Sequence, residues 1–308
     1  MGGFHCPMGA MSPGNDGCIR CGLCTASGRE EVAAAAEVLR AYIREHAPRP
    51  RRAEKIAVCG KGGVGKSTVC AVLARSLADL GYTVLVLDTD ESNPALARAL
   101  GLPACGTALR NTGLGPEPAD SLPWIREDMT LSDIPEAYVS SSGNLRLVTA
   151  GKIEDPLAGC ACASGALARL LMLNLQLGEG EIVLADIEAG VESFGRGTER
   201  GADTVIAVLE PSVDSLEVAE KIRYMAEGLG ISGFRAVLNK APDGETAELM
   251  QDMLAEREIR YLGSLPLSRD VSLHALKGTP LEKTDPTYLR IEEMLKLFLD
   301  ENEMDYPL

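Results

Sequence analysis

The 308-residue sequence is poor in aromatic side chains, in basic residues and in long apolar runs. No apolar stretch approaches the ~20 residues that a membrane-spanning helix needs, and no basic-then-apolar signal segment opens the chain. We therefore expect a cytoplasmic protein. The 30 Lys and Arg against 45 acidic residues leave a net charge of −15, which disfavours nucleic acid and an anionic membrane as partners. With only three histidines, any metal site must be built mainly from sulfur.

A glycine-rich loop follows a short apolar run at residues 56–59, and helical periodicity begins after it at Ser67. Strand, glycine loop and helix form the context of a phosphate-binding loop, in which backbone N–H groups and the helix dipole face an anion. We expect Lys66 to reach the β- and γ-phosphates and the Ser67 hydroxyl to bind Mg²⁺. The predicted nucleotide-binding residues of the loop are Gly60, Gly62, Gly63, Val64, Gly65, Lys66, Ser67 and Thr68.

Lys61 adds a second lysine to this loop. Two cations so close together favour a polyanion between them. The string Gly-Lys-Gly-Gly-Val-Gly-Lys-Ser resembles the deviant P-loop ATPases: the MinD/ParA proteins, the nitrogenase iron protein and the arsenite-pump ATPase. The resemblance implies a homodimer in which Lys61 crosses the two-fold interface and touches the partner's nucleotide.

Carboxylates follow two predicted buried strands, at residues 83–87 and 182–185. Ligands gather at the carboxyl ends of such strands. By the same resemblance, Asp90 lies in switch I and orients the attacking water, while Asp88 and Asp186 support the Mg²⁺ shell. Lys61, Lys66 and Asp90 are thus the expected catalytic residues.

From Lys55 onward, apolar runs alternate with helical patterns, including strands at 205–209 and 234–238 and a tail helix at 288–299. This alternation predicts an α/β fold of the P-loop NTPase type, with a mostly parallel sheet and helices on both faces. The expected organisation is a cysteine-rich segment with a helix at 1–47, a linker at 48–54 and the ATPase domain at 55–308. Residues 101–143 are rich in proline and show little periodicity, which predicts a functional surface loop or a partly disordered segment.

The strand at 234–238 ends in Asn239, followed by Lys-Ala-Pro242. A guanine reader of the Asn-Lys-x-Asp type needs its acid at 242, where proline stands, so adenine, and hence ATP, is favoured. By resemblance, Asn239 reads the base edge, helped by the loop that contains Pro266.

A cysteine run near the N-terminus consists of Cys18, Cys21 and Cys24, with Cys6 upstream beside a proline. Overlapping Cys-x-x-Cys units with a more distant Cys-Pro are typical of [4Fe–4S] ligation, although the Cys-Pro usually lies downstream. Zinc binding or no metal remain alternatives. Disulfides are disfavoured in a cytoplasmic chain.

Cys160 and Cys162 lie just before a predicted helix that starts near Ser164, where the dipole favours the thiolate. Two sulfurs cannot complete a tetrahedral metal site, but a two-fold axis would supply four. The Gly-Lys-Ile-Glu string at 151–154, the Gly-Cys-x-Cys string and the string Asp-x-Glu-Ala-Gly-x-Glu-x-x-Gly-Arg-Gly from Asp186 resemble the accessory ATPases that insert nickel into carbon monoxide dehydrogenase.

This second resemblance implies a dimeric Mg²⁺-dependent ATPase that holds Ni²⁺ or Zn²⁺ on Cys160 and Cys162 and loads a client metalloenzyme of the carbon monoxide dehydrogenase type. The alternative is an ATP-driven electron donor resembling the nitrogenase iron protein, with an iron–sulfur cluster on the interface cysteines. The N-terminal cysteine run favours this alternative, because a second cluster would make a relay.

Overall fold

A computed structural model describes residues 30–31, 34–35, 38, 54–89, 95–103, 107–109, 122–150, 162–187, 199–231 and 233–305; for 162–164 and 301–305 it describes the backbone alone. The strands are β1 Glu54–Cys59, β2 Thr83–Asp88, β3 Val139–Ser142, β4 Leu145–Thr149, β5 Glu181–Asp186, β6 Thr204–Leu209, β7 Gly233–Ala241 and β8 Arg260–Pro266. The helices from residue 54 onward are α1 Lys66–Asp79, α2 Ala95–Leu100, α3 Cys162–Asn174, α4 Val213–Gly228, α5 Gly244–Ala255, α6 Arg269–Lys277 and α7 Pro286–Asp305.

These strands form one sheet of eight in the order β3-β4-β2-β5-β1-β6-β7-β8. Every neighbouring pair is parallel except β3 and β4. The expected fold class, a mostly parallel sheet of the P-loop NTPase type, is confirmed. Because β1 lies between β5 and β6, the loop after β1 is flanked on both sides by the carboxyl ends of other strands.

Alternate residues of the central strands face two separate apolar layers. On one face, Leu85 and Val183 belong to a core with residues of α3, α4 and α5; on the other, Val84 and Ile182 belong to a core with residues of α1, α2 and α7. Both faces of the sheet are therefore covered, which explains why the strand sequences are continuous apolar runs instead of alternating ones.

Two strands were not expected from the sequence. β3 (Val-Ser-Ser-Ser) is a polar edge strand that pairs antiparallel with β4, inside the stretch predicted as a surface loop. β8 carries exposed and half-buried residues and a register shift against β7, so its apolar pattern is weak. The prediction of a loop around Pro266 is therefore partly wrong, because Leu265 and Pro266 are the last two residues of β8.

The expected starts of α1, α3 and α7 differ from the structure by one or two residues, and α7 ends at Asp305, six residues after its expected end at 299. α1 begins at Lys66 and α3 at Cys162, so Cys162 lies in the first turn of its helix instead of before it. In the N-terminal segment, Glu30, Glu31, Ala34, Ala35 and Val38 are helical, in line with the helix expected there. Among the described residues, no helix is long and apolar enough to span a bilayer.

α7 is held against α1 by Tyr288, which is 0% exposed. Its hydroxyl donates to Asp79 Oδ2 at 3.5 Å, and the Arg75 guanidinium lies 5.1 Å from the centre of its ring. Arg75 also donates to the Leu281 carbonyl at 2.6 Å, which ties the chain before α7 to the same helix.

We expect Tyr288→Ala to lower the free energy of unfolding by about 3–5 kcal/mol, since it leaves a ring-sized cavity between α1 and α7. Urea unfolding followed by circular dichroism measures the change. Tyr224, which is 77% exposed on α4, is the matched control, and Tyr224→Ala should change the value by less than about 0.5 kcal/mol. Equal losses in the two variants would contradict the packing described for α7.

Candidate nucleotide-binding site

The glycine loop packs closely against the neighbouring strands. A Cβ at Gly60 (φ 143°) would lie 2.2 Å from the Val208 carbonyl oxygen of β6, and a Cβ at Gly65 (φ 97°) would lie 2.3 Å from Asn239 Nδ2 of β7. A side chain at Gly60 would therefore collide with the β6 backbone, and one at Gly65 would displace the Asn239 side chain. The glycines allow both the left-handed turn and the close approach.

The first turn of α1 presents backbone N–H groups without a competing side chain. Gly65 is its N-cap and makes no side-chain cap, and no acidic residue occupies the first turn. Such a helix start binds anions through N–H groups and the helix dipole. Lys66, Ser67 and Thr68 are half-buried there, and Lys66 Nζ donates to the Lys61 carbonyl at 3.4 Å.

The two expected Mg²⁺ carboxylates lie side by side. Asp88 and Asp186 are directly opposite each other in the parallel pair β2 and β5, and they are 2% and 1% exposed. Thr89 caps this end through its N–H and hydroxyl, both donated to the Asp186 carbonyl. Oxygen ligands at the carboxyl edge beside a P-loop serine are the donor set that Mg²⁺ prefers, so these residues fit the ion. Asp90 lies outside the described residues.

Two cysteines lie buried beneath the site and are free. Burial raises the pKa of the Cys70 thiol well above its usual range, and the Asp186 and Asp88 carboxylates raise it further. Burial also raises the pKa of Cys59, as do Glu199 and Asp186, although Lys66 opposes them. Both thiols therefore stay protonated at neutral pH and are poor metal ligands.

On the other side of β1, the end of β7 contacts the loop. Asn239 Nδ2 donates to the Val64 carbonyl at 2.7 Å, and Lys240 Nζ donates to the Gly63 carbonyl at 2.5 Å. Asn239, expected to read the adenine edge, thus uses part of its amide on the loop itself. Pro266, the other expected base contact, is exposed at the end of β8.

Lys61 points to the surface and pairs with Asp214 in the first turn of α4, at 3.4 Å between Nζ and Oδ2. The two side chains are 42% and 76% exposed. An ion pair this exposed contributes little to stability. Lys61 is therefore available to another anion at little cost.

A cavity of about 240 Å³ opens beside Ser67 and Thr68. It lies between α1, α2 and α6, and its polar lining includes Arg98, His274 and Thr279. No residue of α6 is buried, and its residues Val271, His274 and Ala275 line the cavity. The cavity adjoins the loop and offers space to a group attached to phosphates bound there.

The expected cysteine sites fall largely outside the described residues: Cys6, Cys18, Cys21, Cys24 and Cys160 are not described, and Cys162 is described by its backbone only. Within the part of the chain that the structure describes, no cluster of three or more His, Cys, Asp or Glu side chains has the arrangement of a metal site.

Sequence reasoning missed Asp214 and Lys240. Asp214 is 153 positions from Lys61, and Lys240 is 177 positions from Gly63. No local sequence pattern could therefore predict either contact. The one available signal was that Lys240 directly follows Asn239 at the end of a strand.

The parallel sheet, the glycine loop after β1 and the paired carboxylates define a P-loop nucleoside-triphosphatase. Residues 55–281 match the CobQ/CobB/MinD/ParA nucleotide binding domain, and the chain belongs to this family of ATPases.

Two relatives are each 33% identical to this chain over the aligned residues. One is an uncharacterized ATP-binding protein of Methanocaldococcus jannaschii, with 74% of this chain and 93% of that protein covered. The other is the carbon monoxide dehydrogenase accessory protein CooC of Rhodospirillum rubrum, with 76% and 98% covered. The septum site-determining protein MinD of Pyrococcus horikoshii, solved with Mg-ADP, is similar in fold at a TM-score of 0.61 and 18% identity, covering 83% of this chain and 100% of that one. The resemblance to the MinD/ParA class of ATPases, and within it to an accessory protein of carbon monoxide dehydrogenase, is thereby confirmed.

We expect Gly65→Ala to lose ATP affinity by about tenfold or more, because the new Cβ strains a left-handed residue and collides with Asn239. Gly81 is the matched control, since it has a similar φ of 95° but nothing within 4 Å of an added Cβ. Gly81→Ala should lose about 1–2 kcal/mol of stability and bind ATP like the unsubstituted protein. Isothermal titration calorimetry with Mg²⁺ and ATP measures both, and equal affinities in the two variants would contradict the assignment of the loop.

Proposed function

We propose that this ATPase is a homodimeric metallochaperone that couples ATP hydrolysis to loading nickel into a client metalloenzyme of the carbon monoxide dehydrogenase type. Three features support the proposal. The chain is similar to a carbon monoxide dehydrogenase accessory protein over most of its length. Its phosphate loop carries the second lysine, Lys61, and its Cys160-Ala-Cys162 string adjoins the start of α3.

One observation carries the proposal furthest. β4 ends beside the Mg²⁺ carboxylate, where the Ala150 N–H donates to the Asp88 carbonyl at 2.8 Å. The next residues, 151–161, lead from that point to Cys162 at the start of α3. The segment with the cysteines therefore leaves the sheet next to the nucleotide site, and a change at the Mg²⁺ shell has a covalent route to the thiols.

The residues divide the chemistry as follows. The first-turn N–H groups and Lys66 bind the polyphosphate, while Ser67, Asp88 and Asp186 hold Mg²⁺. When bound, this ion neutralises charge that develops on the phosphate oxygens. Asp90 orients the attacking water. The nucleotide is ATP, with Asn239 and Pro266 beside the base.

Closure of two subunits around ATP would bring Lys61 to the partner's nucleotide and the two Cys160-Ala-Cys162 strings to a common axis. Four thiolates at that axis suit tetrahedral Zn²⁺ or Ni²⁺ carried as cargo. The cycle requires the metal to bind the closed and open states with different affinity, since otherwise ATP has no effect on it. The N-terminal cysteines Cys6, Cys18, Cys21 and Cys24 would hold a [4Fe–4S] cluster.

A second candidate function is ATP-driven electron transfer. The cysteine run at 18–24 favours it, because a cluster there and another on the interface cysteines would form a relay. The two functions use the same ATPase cycle and differ in what the interface thiolates hold.

The dimer is tested through Lys61. We expect Lys61→Ala to fold normally yet to lose ATP-dependent association, measured by sedimentation with and without a non-hydrolysable ATP analogue. Asp214→Asn is the matched control: it removes the same ion pair but leaves the lysine, so it should still associate. An ATP-induced dimer that forms equally well in Lys61→Ala would remove the role of this lysine across the interface.

The cargo is tested on the full chain with serine at all four N-terminal cysteines. On the metallochaperone proposal this protein is colourless, binds about one Ni²⁺ per dimer, and changes its nickel affinity with nucleotide; Cys160→Ser abolishes that binding. The two functions are compared by absorption spectra and anaerobic metal analysis of the same protein after reconstitution with iron and sulfide. A reversibly reducible cluster that disappears with Cys160→Ser would favour electron transfer instead.

A further inference from the structure

Side chains outside the phosphate loop hold two of its carbonyl groups. Lys240 Nζ donates to the Gly63 carbonyl at 2.5 Å, and Asn239 Nδ2 donates to the Val64 carbonyl at 2.7 Å. Both donors lie at the end of β7, and both carbonyls belong to consecutive residues of the loop. The loop is thus fixed to β7 by two adjacent hydrogen bonds.

Fixing a carbonyl also fixes an N–H. A trans peptide is planar, and its C=O and N–H groups point to opposite sides. Holding the Gly63 carbonyl toward β7 turns the Val64 N–H away from β7, and holding the Val64 carbonyl does the same for the Gly65 N–H. These N–H groups belong to the part of the loop that immediately precedes α1, where an anion binds.

Lys240 is itself held in an unusual conformation. Its φ is 59°, in the left-handed region, although it is not glycine. Its N–H donates to Asn239 Oδ1 at 2.9 Å, and its Nζ lies 3.8 Å from Glu210 Oε2, in the residue that follows β6. A strained backbone persists only where the surroundings determine it, and such residues concentrate at functional sites.

We propose that Lys240 is a positioning residue for binding of the ATP polyphosphate: it fixes the Gly63–Val64 peptide so that the Val64 N–H faces the polyphosphate. Lys240 acts through the loop and not on the base. The inference rests on ATP use at this loop and is independent of the metal that the protein carries. Glu210 orients Lys240 in turn, so residues at the ends of both β6 and β7 help to position the phosphate loop.

The test compares Mg²⁺-ATP with Mg²⁺-tripolyphosphate, which has phosphates but no base or ribose. For Lys240→Met in the full chain, titration calorimetry should show both affinities reduced by the same factor, about tenfold or more, as expected for loss of a hydrogen bond from a charged donor. Lys240→Arg should restore much of both affinities. Lys221→Met removes the same charge from an exposed position on α4 and should leave both unchanged.

Each other outcome is decisive. A loss for ATP with tripolyphosphate unchanged would make Lys240 a base contact and overturn the proposal, as would unchanged affinities for both ligands. If Lys240→Met does not fold by circular dichroism, Glu210→Gln provides the second test, with a smaller parallel loss expected for both ligands and the same overturning outcomes. Lys66→Ala is the reference variant, and it must lose affinity for both ligands. If it retains both affinities, the ATP site itself is misassigned, whatever the result for Lys240.

Discussion

A backbone N–H group faces a bound anion when the carbonyl of the same peptide unit faces away from it. The contacts at the carboxyl edge of the sheet hold the loop carbonyls in that orientation. β1 ends beneath the loop, β6 approaches Gly60 so closely that no side chain fits, and β7 supplies two donors to the loop carbonyls. The central place of β1 between β5 and β6 makes these contacts possible. The conformation of the phosphate loop therefore depends on the strand order as much as on the glycines of the loop.

The same edge separates charge in a chain whose net charge is −15. Lys66, Lys61 and Lys240 lie along the loop, whereas the Asp88 and Asp186 carboxylates lie together on the β5 side of β1. Neighbouring buried carboxylates repel each other, and a divalent cation relieves that repulsion. The raised pKa of the Cys70 thiol reflects first its burial beneath the site and then this negative charge. A magnesium–polyphosphate complex, negative on its phosphates and positive at its metal, matches this separation.

The sequence predicted the parts of this arrangement that depend on local patterns. Apolar runs marked the central strands, and the loop motif and the aspartates after two strands marked the nucleotide site, because these features need only neighbours along the chain. β3 and β8 escaped prediction, since an edge strand of serines and a strand with a register shift lack the apolar pattern of the central ones. The contacts of Lys61 with Asp214 and of Lys240 with Gly63 were out of reach, because they depend on which strand ends the topology brings together.

In the function proposed above, coupling between the nucleotide and the interface cysteines would depend on how the parts are attached. In the proposed dimer, Lys61 would give up only an exposed ion pair with Asp214 when it turned to another anion, so the free energy of closure would depend on the interactions that form across the interface. The Ala150–Asp88 hydrogen bond joins the Mg²⁺ carboxylate strand to the beginning of the cysteine segment. If closure tightens metal binding by some factor, bound metal must favour ATP-driven closure by the same factor. In the proposed cycle, a loaded subunit pair would then hold its nucleotide-bound form longer than an empty one.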